Sequence, residues 1–197
     1  MIKTIFFDYA GVLTATRDKT QFAKENHARF GITTHALLDI LYKNWDKAAI
    51  NEISETEYWE WIGGELKTNP KEIRELVYAA FPIDVRMLEI IDQIKDRYTL
   101  VMVSNQLEDW LEKVIDDNNL RKRFDHFVNS YQVGISKPDK RIYLAALEKS
   151  NSKPEETLYI DDLPANISSA KELGIKTIEF KSFEQFIEEF NAYSGNI

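Results

Sequence analysis

A chain of 197 residues with 44% hydrophobic and 12% aromatic side chains can bury enough apolar surface to fold, in one core or in a core with a small insert, and is not an intrinsically disordered chain. Its net charge of −8, with no basic stripe for a phosphodiester backbone, excludes nucleic acid as an expected partner. The lack of cysteine removes disulfides, thiolate metal sites and cysteine nucleophiles and suits a cytoplasmic setting, while the lack of a signal-like start or an apolar run of about 18 residues gives no reason to expect membrane association.

The first predicted element is the strand IKTIFFD, residues 2–8, an apolar run that ends on a lone carboxylate, Asp8, ahead of the Ala10-Gly11 turn. From 16 to 82 no strand pattern occurs. TQFAKENHARFG, THALLDILYKNW and SETEYWEWIGGEL read as helices, the third opened by a Ser54/Glu57 capping box. This stretch reads as a helical cap, 16–82, inserted into a core made of 1–15 and 83–197. Its aromatic residues Tyr42, Trp45, Tyr58, Trp59 and Trp61 are expected to fill a helical mini-core, and its lysines Lys19, Lys24, Lys43, Lys47 and Lys67 to be solvated.

Strand and helix then alternate. VRMLEIIDQIKDR (85–97) places Met87, Leu88, Ile91 and Ile94 on one helical face, and TLVMVSN (99–105) reads as the second strand. HFVNSYQVG (126–134) reads as the third strand, RIYLAALEK (141–149) as a helix, TLYIDD (157–162) as the fourth strand and KTIEF (176–180) as the fifth. Such alternation predicts an α/β fold, a doubly wound and mostly parallel sheet in a three-layer, Rossmann-type core.

Three strands end on polar residues: Asp8, then Ser104-Asn105, then Asp161-Asp162. In a parallel sheet these carboxyl ends share the edge where open α/β sheets bind ligands. Lys137 follows the third strand, just before Pro138, which suits the first turn of a helix. Carboxylates gathered there repel one another, and a hard divalent cation such as Mg²⁺, which accepts one or two carboxylates plus substrate phosphate, relieves the repulsion. Asp8 can then attack phosphorus, Ser104 can hold phosphoryl oxygens, and Lys137 can neutralise charge in the transition state. Each residue alone also has an ordinary structural reading as a turn, cap or surface residue; the joint occurrence in this order carries the inference.

FFDYAGVL, VSN, ISKPDKRIY and YIDDLPANISSAKELGI resemble the four motifs of the haloacid dehalogenase (HAD) superfamily, in the subfamily with a helical cap after the first strand, and the segment from FDHFVNSYQVGISKPDKRIY onward is similar to the phosphatase domain of bifunctional epoxide hydrolases and to small sugar-phosphate phosphatases. The resemblance implies that Asp8 is the nucleophile and a Mg²⁺ ligand, Ser104 a phosphate-binding hydroxyl, Lys137 the motif-three lysine and Asp162 the second metal-binding carboxylate, with Asp161 beside it. Asn105 becomes a candidate for phosphate or substrate contact, and Asn166 stands where such proteins often have another acid.

One position departs from the pattern. Two residues after the nucleophile, phosphatases of this kind usually carry an Asp that protonates the leaving oxygen; here it is Ala10, which retains only its backbone carbonyl as a metal ligand. The expected function is a Mg²⁺-dependent phosphatase of a small phosphorylated metabolite, working through an aspartyl-phosphate and slowed by the missing acid. The alternatives are a catalytically impaired domain that binds a phosphorylated ligand or protein partner, and a C–P hydrolase using a cap lysine. His27 and His35 are weighed as replacement acids, with Trp45 or Glu52 no better supported.

Overall fold

The run TIFF is apolar at every position because both faces of its strand are covered, the pattern of a parallel sheet sandwiched between helices. In the computed structural model, which describes residues 1–194, this run is β1 (Thr4–Phe7), followed in the sheet by β2 (Thr99–Ser104), β3 (His126–Asn129), β4 (Thr157–Asp161) and β5 (Lys176–Glu179). All neighbouring pairs are parallel and the order is β3-β2-β1-β4-β5. The chain thus winds outward from β1 through β2 to β3 and returns to the other side of β1 with β4, which makes the β1/β4 junction the topological switch point.

Alternation along the strands fills two layers. Ile5, Phe7, Leu100, Met102, Leu158 and Ile160 point to one cluster, while Phe6, Val101, Val103 and Tyr159 join the other. The first layer is covered by α6 (Val85–Ile94) and α11 (Phe183–Ser194), the second by α9 (Lys140–Lys149) and α10 (Pro164–Lys171). On α6 the predicted apolar face is present, with Met87, Ile91 and Ile94 buried and Leu88 packed beside them; the helix ends at Ile94, short of the expected 97.

Between β1 and α6 the chain forms five helices and no strand: α1 (Thr20–Asn26), α2 (Thr34–Lys43), α3 (Trp45–Ala49), α4 (Glu55–Leu66) and α5 (Pro70–Ala79). Ser54 and Glu57 form the capping box of α4. The segment leaves and returns through adjacent backbone, with Thr14 bridged to Ile83 and Asp84 N–H donating to Leu13 O at 2.8 Å. Its own cluster, around Leu37, Leu41, Tyr58, Trp59, Ile62 and Val77, also takes in Leu107 and Trp110 at the start of α7 (Glu108–Asp117), so it is seated on the sheet layer. Glu55 fastens this seat: its carboxylate accepts from Trp59 Nε1 at 2.9 Å and the Tyr78 hydroxyl within the helical segment, and from the Asp109 N–H at 2.8 Å, the first turn of α7.

Two readings of the sequence are corrected. The run 126–134 is strand only to Asn129; Ser130–Val133 turn into α8, closed by Gly134 at φ +67°, with the Ser130 hydroxyl accepting from Gln106 N–H and donating to Ala49 O and its carbonyl accepting from Gly134 N–H in place of the ladder. Pro138 does not open a helix: α9 begins at Lys140, capped by Asp139, whose carboxylate accepts from Arg141 N–H at 2.9 Å. Among the described residues no helix is long and apolar enough to cross a membrane.

Candidate active site

Asp8 continues the β1 ladder by donating its N–H to Ile160 O at 3.0 Å, and the chain then breaks away into the turn Tyr9–Leu13, in which Gly11 has φ +86°. That turn aims the Asp8 side chain over the sheet edge, where Oδ1 accepts from Tyr9 N–H and from Lys137 Nζ, each at 2.6 Å. Lys137 is almost wholly buried and spends its three ammonium protons on Asp8, Asp161 at 2.9 Å and Val103 O at 2.9 Å. A buried ammonium with all three donors satisfied is fixed in place, because any rotation leaves a charge unpaired in low dielectric.

Asn105 explains how Lys137 reaches the edge from a loop. Its amide brackets the lysine backbone, Oδ1 accepting from Lys137 N–H at 2.8 Å and Nδ2 donating to Lys137 O at 2.9 Å. The Asn105 side chain is therefore engaged in holding that loop. Ser104, at the end of β2, is 2% exposed and its hydroxyl has no hydrogen-bond partner among the described residues, although it lines the same cavity as Asp8.

Asp161 and Asp162 have different surroundings. Period-two alternation puts Tyr159 and Asp161 on one face of β4, and Asp161 accepts from the Tyr159 hydroxyl, Lys137 Nζ, Leu163 N–H at 2.8 Å and Asn166 Nδ2 at 3.0 Å. Its oxygens are used. Asp162 faces the other way, toward Gly11, where its one charged partner is the half-exposed Arg17, Nε to Oδ2 at 3.4 Å. A Cβ on residue 11 would stand 2.6 Å from Asp162 Oδ2, so the site is shaped to admit that carboxylate beside the β1 turn.

Oxygens of Asp8, Asp161 and Asp162 lie within 4.8 Å of one another. Burial pushes the Asp8 carboxyl up to about 8, against the pull of Lys137 and with the help of Asp161 and Asp162. Burial and the Asp161 charge push Asp162 up to about 6, with Arg17 opposing. Asp161 is buried too, but Lys137, the Tyr159 hydroxyl and the Leu163 N–H outweigh burial and hold it below the usual carboxylate range. Burial would strip the proton from Lys137; Asp161 and Asp8 reverse that and raise it. The donor set is therefore all oxygen, over-supplied with negative charge and strained by burial at Asp8 and Asp162. These conditions suit a small hard cation, and Asp8 Oδ2 and Asp162 retain the lone pairs to hold one.

The cavity over this group has a volume of about 360 Å³. Its floor is Asp8, Ala10, Ser104, Lys137 and Asp162, and its walls include Lys19, Tyr42 and Trp45 from the helical segment. Tyr58 and Trp59 do fill a mini-core, and Trp45 and Trp61 pack partly buried against it; Tyr42 lines the cavity, as Trp45 also does. Lys19 is a correction: expected in solvent, it is 4% exposed, while Lys24, Lys43, Lys47 and Lys67 are exposed. His27, bonded through Nδ1 to Ile32 O at 2.9 Å, and His35, beside Asp39 on the outside of α2, do not line the cavity, and neither does Glu52. Arg17 had no signal in the sequence, and Lys19 stood there only as one of five cap lysines, since their positions depend on how the helices close over the loop after β1.

The sequence profile of the haloacid dehalogenase-like hydrolases matches residues 2–174. The D-ribitol-5-phosphate phosphatase of Bacteroides thetaiotaomicron is 27% identical over 192 residues, 91% of this chain and 92% of that protein. Bifunctional epoxide hydrolase 2 of Rattus norvegicus is 29% identical over 129 residues, 63% of this chain; the match spans 23% of the rat protein's length. In structure, a HAD family enzyme of B. thetaiotaomicron, crystallised as an aspartate-to-alanine variant with magnesium and inorganic phosphate, superposes with a TM-score of 0.83 at 23% identity over 96% of this chain and 100% of its own.

Proposed function

The chain belongs to the haloacid dehalogenase-like hydrolases, and from that premise we propose that it is a magnesium-dependent phosphatase of a small phosphorylated metabolite, with Asp8 as nucleophile. The observation that carries this reading is the convergence of Asp8, Ser104, Lys137 and Asp162, from four separate segments of the chain, on the floor of one cavity. A volume of about 360 Å³ accommodates a small ligand. The ribitol-phosphate phosphatase similar over nearly its whole length supports the same substrate class.

In this reading Asp8, the Ala10 carbonyl and Asp162 hold Mg²⁺. Asp161 stands behind them, its oxygens spent on orienting Lys137 and Asn166. When bound, the cation offsets the acidic surplus and the charge of the phosphoryl group. Ser104 receives a phosphoryl oxygen on its unpartnered hydroxyl. Lys137, already in contact with Asp8 Oδ1, pulls that carboxyl toward its ionised form against the burial that raises it, and leaves its other oxygen to face phosphorus. Attack forms an aspartyl-phosphate as the P–O bond to the leaving group breaks, and water then cleaves the acyl-phosphate. In this reading residues 1–15 and 83–197, of which 195–197 lie outside the described residues, make up the core that carries these groups, and residues 16–82 the cap that walls the cavity and selects the substrate.

The test is hydrolysis of p-nitrophenyl phosphate with Mg²⁺, whose leaving group barely needs a proton. Turnover is expected in the native chain and is expected to vanish in Asp8→Asn. Ala10 favours one rival, a binding domain that has lost catalysis. No turnover of any ester by the native chain, with Ala10→Asp creating it, would establish that rival and end the phosphatase assignment.

A further inference from the structure

Lys19 is the one lysine among the cap's exposed set that the fold withdraws from water, and it withdraws it into the cavity over Asp8. Its backbone N–H is anchored to the Tyr42 hydroxyl at 3.2 Å, and its Nζ lies 3.2 Å from the Trp45 ring centroid and 4.5 Å from that of Tyr42. Among the described residues no carboxylate comes within ion-pair distance of Nζ and no hydrogen bond engages it. A buried ammonium is ordinarily neutralised by a carboxylate, as Lys137 is. Here two aromatic faces stabilise the cation without taking its protons, which leaves the amine free to give one up.

The floor of the same cavity lacks the acid that the reaction needs, because Ala10 has no proton to donate. We propose that Lys19 is the general acid and base of this site, delivering from the cap the proton that Ala10 cannot supply to the leaving oxygen; this rests on the phosphatase reading above. The charge inventory fits. The groups facing Lys19 are Asp18 on its own turn, Asp46 on α3 and Tyr42 on α2, and Arg17, Asp8, Lys137 and Asp162 line the same cavity. Burial lowers the amine well below its ordinary range, and Asp46 and Asp18 only partly restore it. The result is a stronger acid than an exposed lysine, and one that becomes a base once its proton is given.

The steps balance. In the first half-reaction an Asp8 carboxylate oxygen bonds to phosphorus, the P–O bond to the alkyl group breaks, and the alkoxide takes a proton from the Lys19 ammonium to leave as an alcohol. In the second, the neutral Lys19 amine accepts a proton from water as its oxygen bonds to phosphorus, the Asp8–phosphoryl bond breaks, and Asp8 carboxylate, phosphate and Lys19 ammonium are restored.

The test compares an alkyl phosphate with p-nitrophenyl phosphate in Lys19→Met and Lys19→Arg, each first shown to keep the native melting temperature. Proton delivery contributes roughly 10²- to 10⁴-fold, so Lys19→Met is expected to lose alkyl-phosphate kcat by that factor and aryl-phosphate kcat by at least tenfold less. Lys19→Arg is expected to fail in the same way, because guanidinium keeps the charge but does not release its proton. The basic limb of the native pH profile for alkyl phosphate should disappear in both variants, and adding Ala10→Asp to Lys19→Met should restore alkyl turnover. Equal losses on both substrates, or full alkyl activity in Lys19→Arg, would reduce Lys19 to a charge that binds substrate and overturn the proposal while the phosphatase reading stands. A native chain inactive on both esters would overturn the two together.

Discussion

Replacing Gly11 by Ala tests whether the β1 turn is built around the Asp162 carboxylate. Residue 11 sits at φ +86°, in the left-handed half of backbone space that costs an L-residue about 1–2 kcal/mol, and loss of glycine's freedom in the unfolded chain returns about 0.4–1 kcal/mol of that. The added Cβ would also lie 2.6 Å from Asp162 Oδ2 and 2.7 Å from its Cγ, well inside contact distance. Asp162 is 7% exposed and has little room to retreat, so overpacking adds roughly 1–3 kcal/mol. The net expectation is a destabilisation of about 1–5 kcal/mol, which for a domain of this size lowers the melting temperature by several degrees or more, at about 2–4 °C per kcal/mol. The sharper readout is the response to Mg²⁺. A cation that binds only the folded state raises stability by RT ln(1 + [Mg²⁺]/Kd), so the native protein should melt higher as Mg²⁺ rises through its Kd. Gly11→Ala displaces one of the proposed ligands and should flatten that response. Differential scanning fluorimetry from zero to millimolar Mg²⁺ measures both effects. A variant that melts within a degree of the native chain and shows the same Mg²⁺ shift would refute the claim that this glycine is the cradle for Asp162.

Lys137→Met leaves Asp8 and Asp161 buried without their shared cation and should cost about 3–5 kcal/mol in urea unfolding, together with all phosphatase turnover. Glu55→Ala strands four donors, the Trp59 indole, the Tyr78 hydroxyl and the Asp109 and Trp110 N–H groups, each worth about 1–3 kcal/mol when buried and unsatisfied; a loss of at least about 3 kcal/mol is expected, with hydrogen exchange quickening in both α4 and the first turn of α7. Arg17→Met removes the guanidinium that leans on Asp162 at 3.4 Å, and calorimetry is expected to show Mg²⁺ binding tighter by a few-fold.

The strands could be read from the sequence because a parallel sheet covered on both faces needs continuous apolar runs, and TIFF, LVMV and LYI have no other use for so many large side chains in a row. The error at 126–134 has the same origin. Tyr131, Gln132 and Val133 carry strand propensity, but Ser130 is captured by Ala49 O and the Gln106 N–H, partners more than 20 residues away, and a propensity scale contains no such terms. Asp8, Ser104 and Asp162 were legible because each ends an apolar strand run, and strand order brings them to one edge; Lys137, eight residues past β3, also needs the Asn105 clamp on its loop.

The division of labour between Asp161 and Asp162 follows from a rule that the sequence already contains. Side chains alternate along a strand, so Asp161 must share a face with Tyr159, and it does, accepting the tyrosine hydroxyl and the Lys137 ammonium at full burial. Asp162 is turned to the opposite side, onto the glycine of the β1 turn, with lone pairs to spare. Of two adjacent carboxylates, one is thus anchored and the other left open, as the proposed role in holding Mg²⁺ requires. Lys19 has no comparable rule. It lies in a loop, outside any strand or helix period, and its burial depends on α2 and α3 bringing Tyr42 and Trp45 to either side of its ammonium. The proton donor proposed for this site is therefore supplied by the helical segment that walls the cavity, and a leaving group held there would meet its acid from that wall.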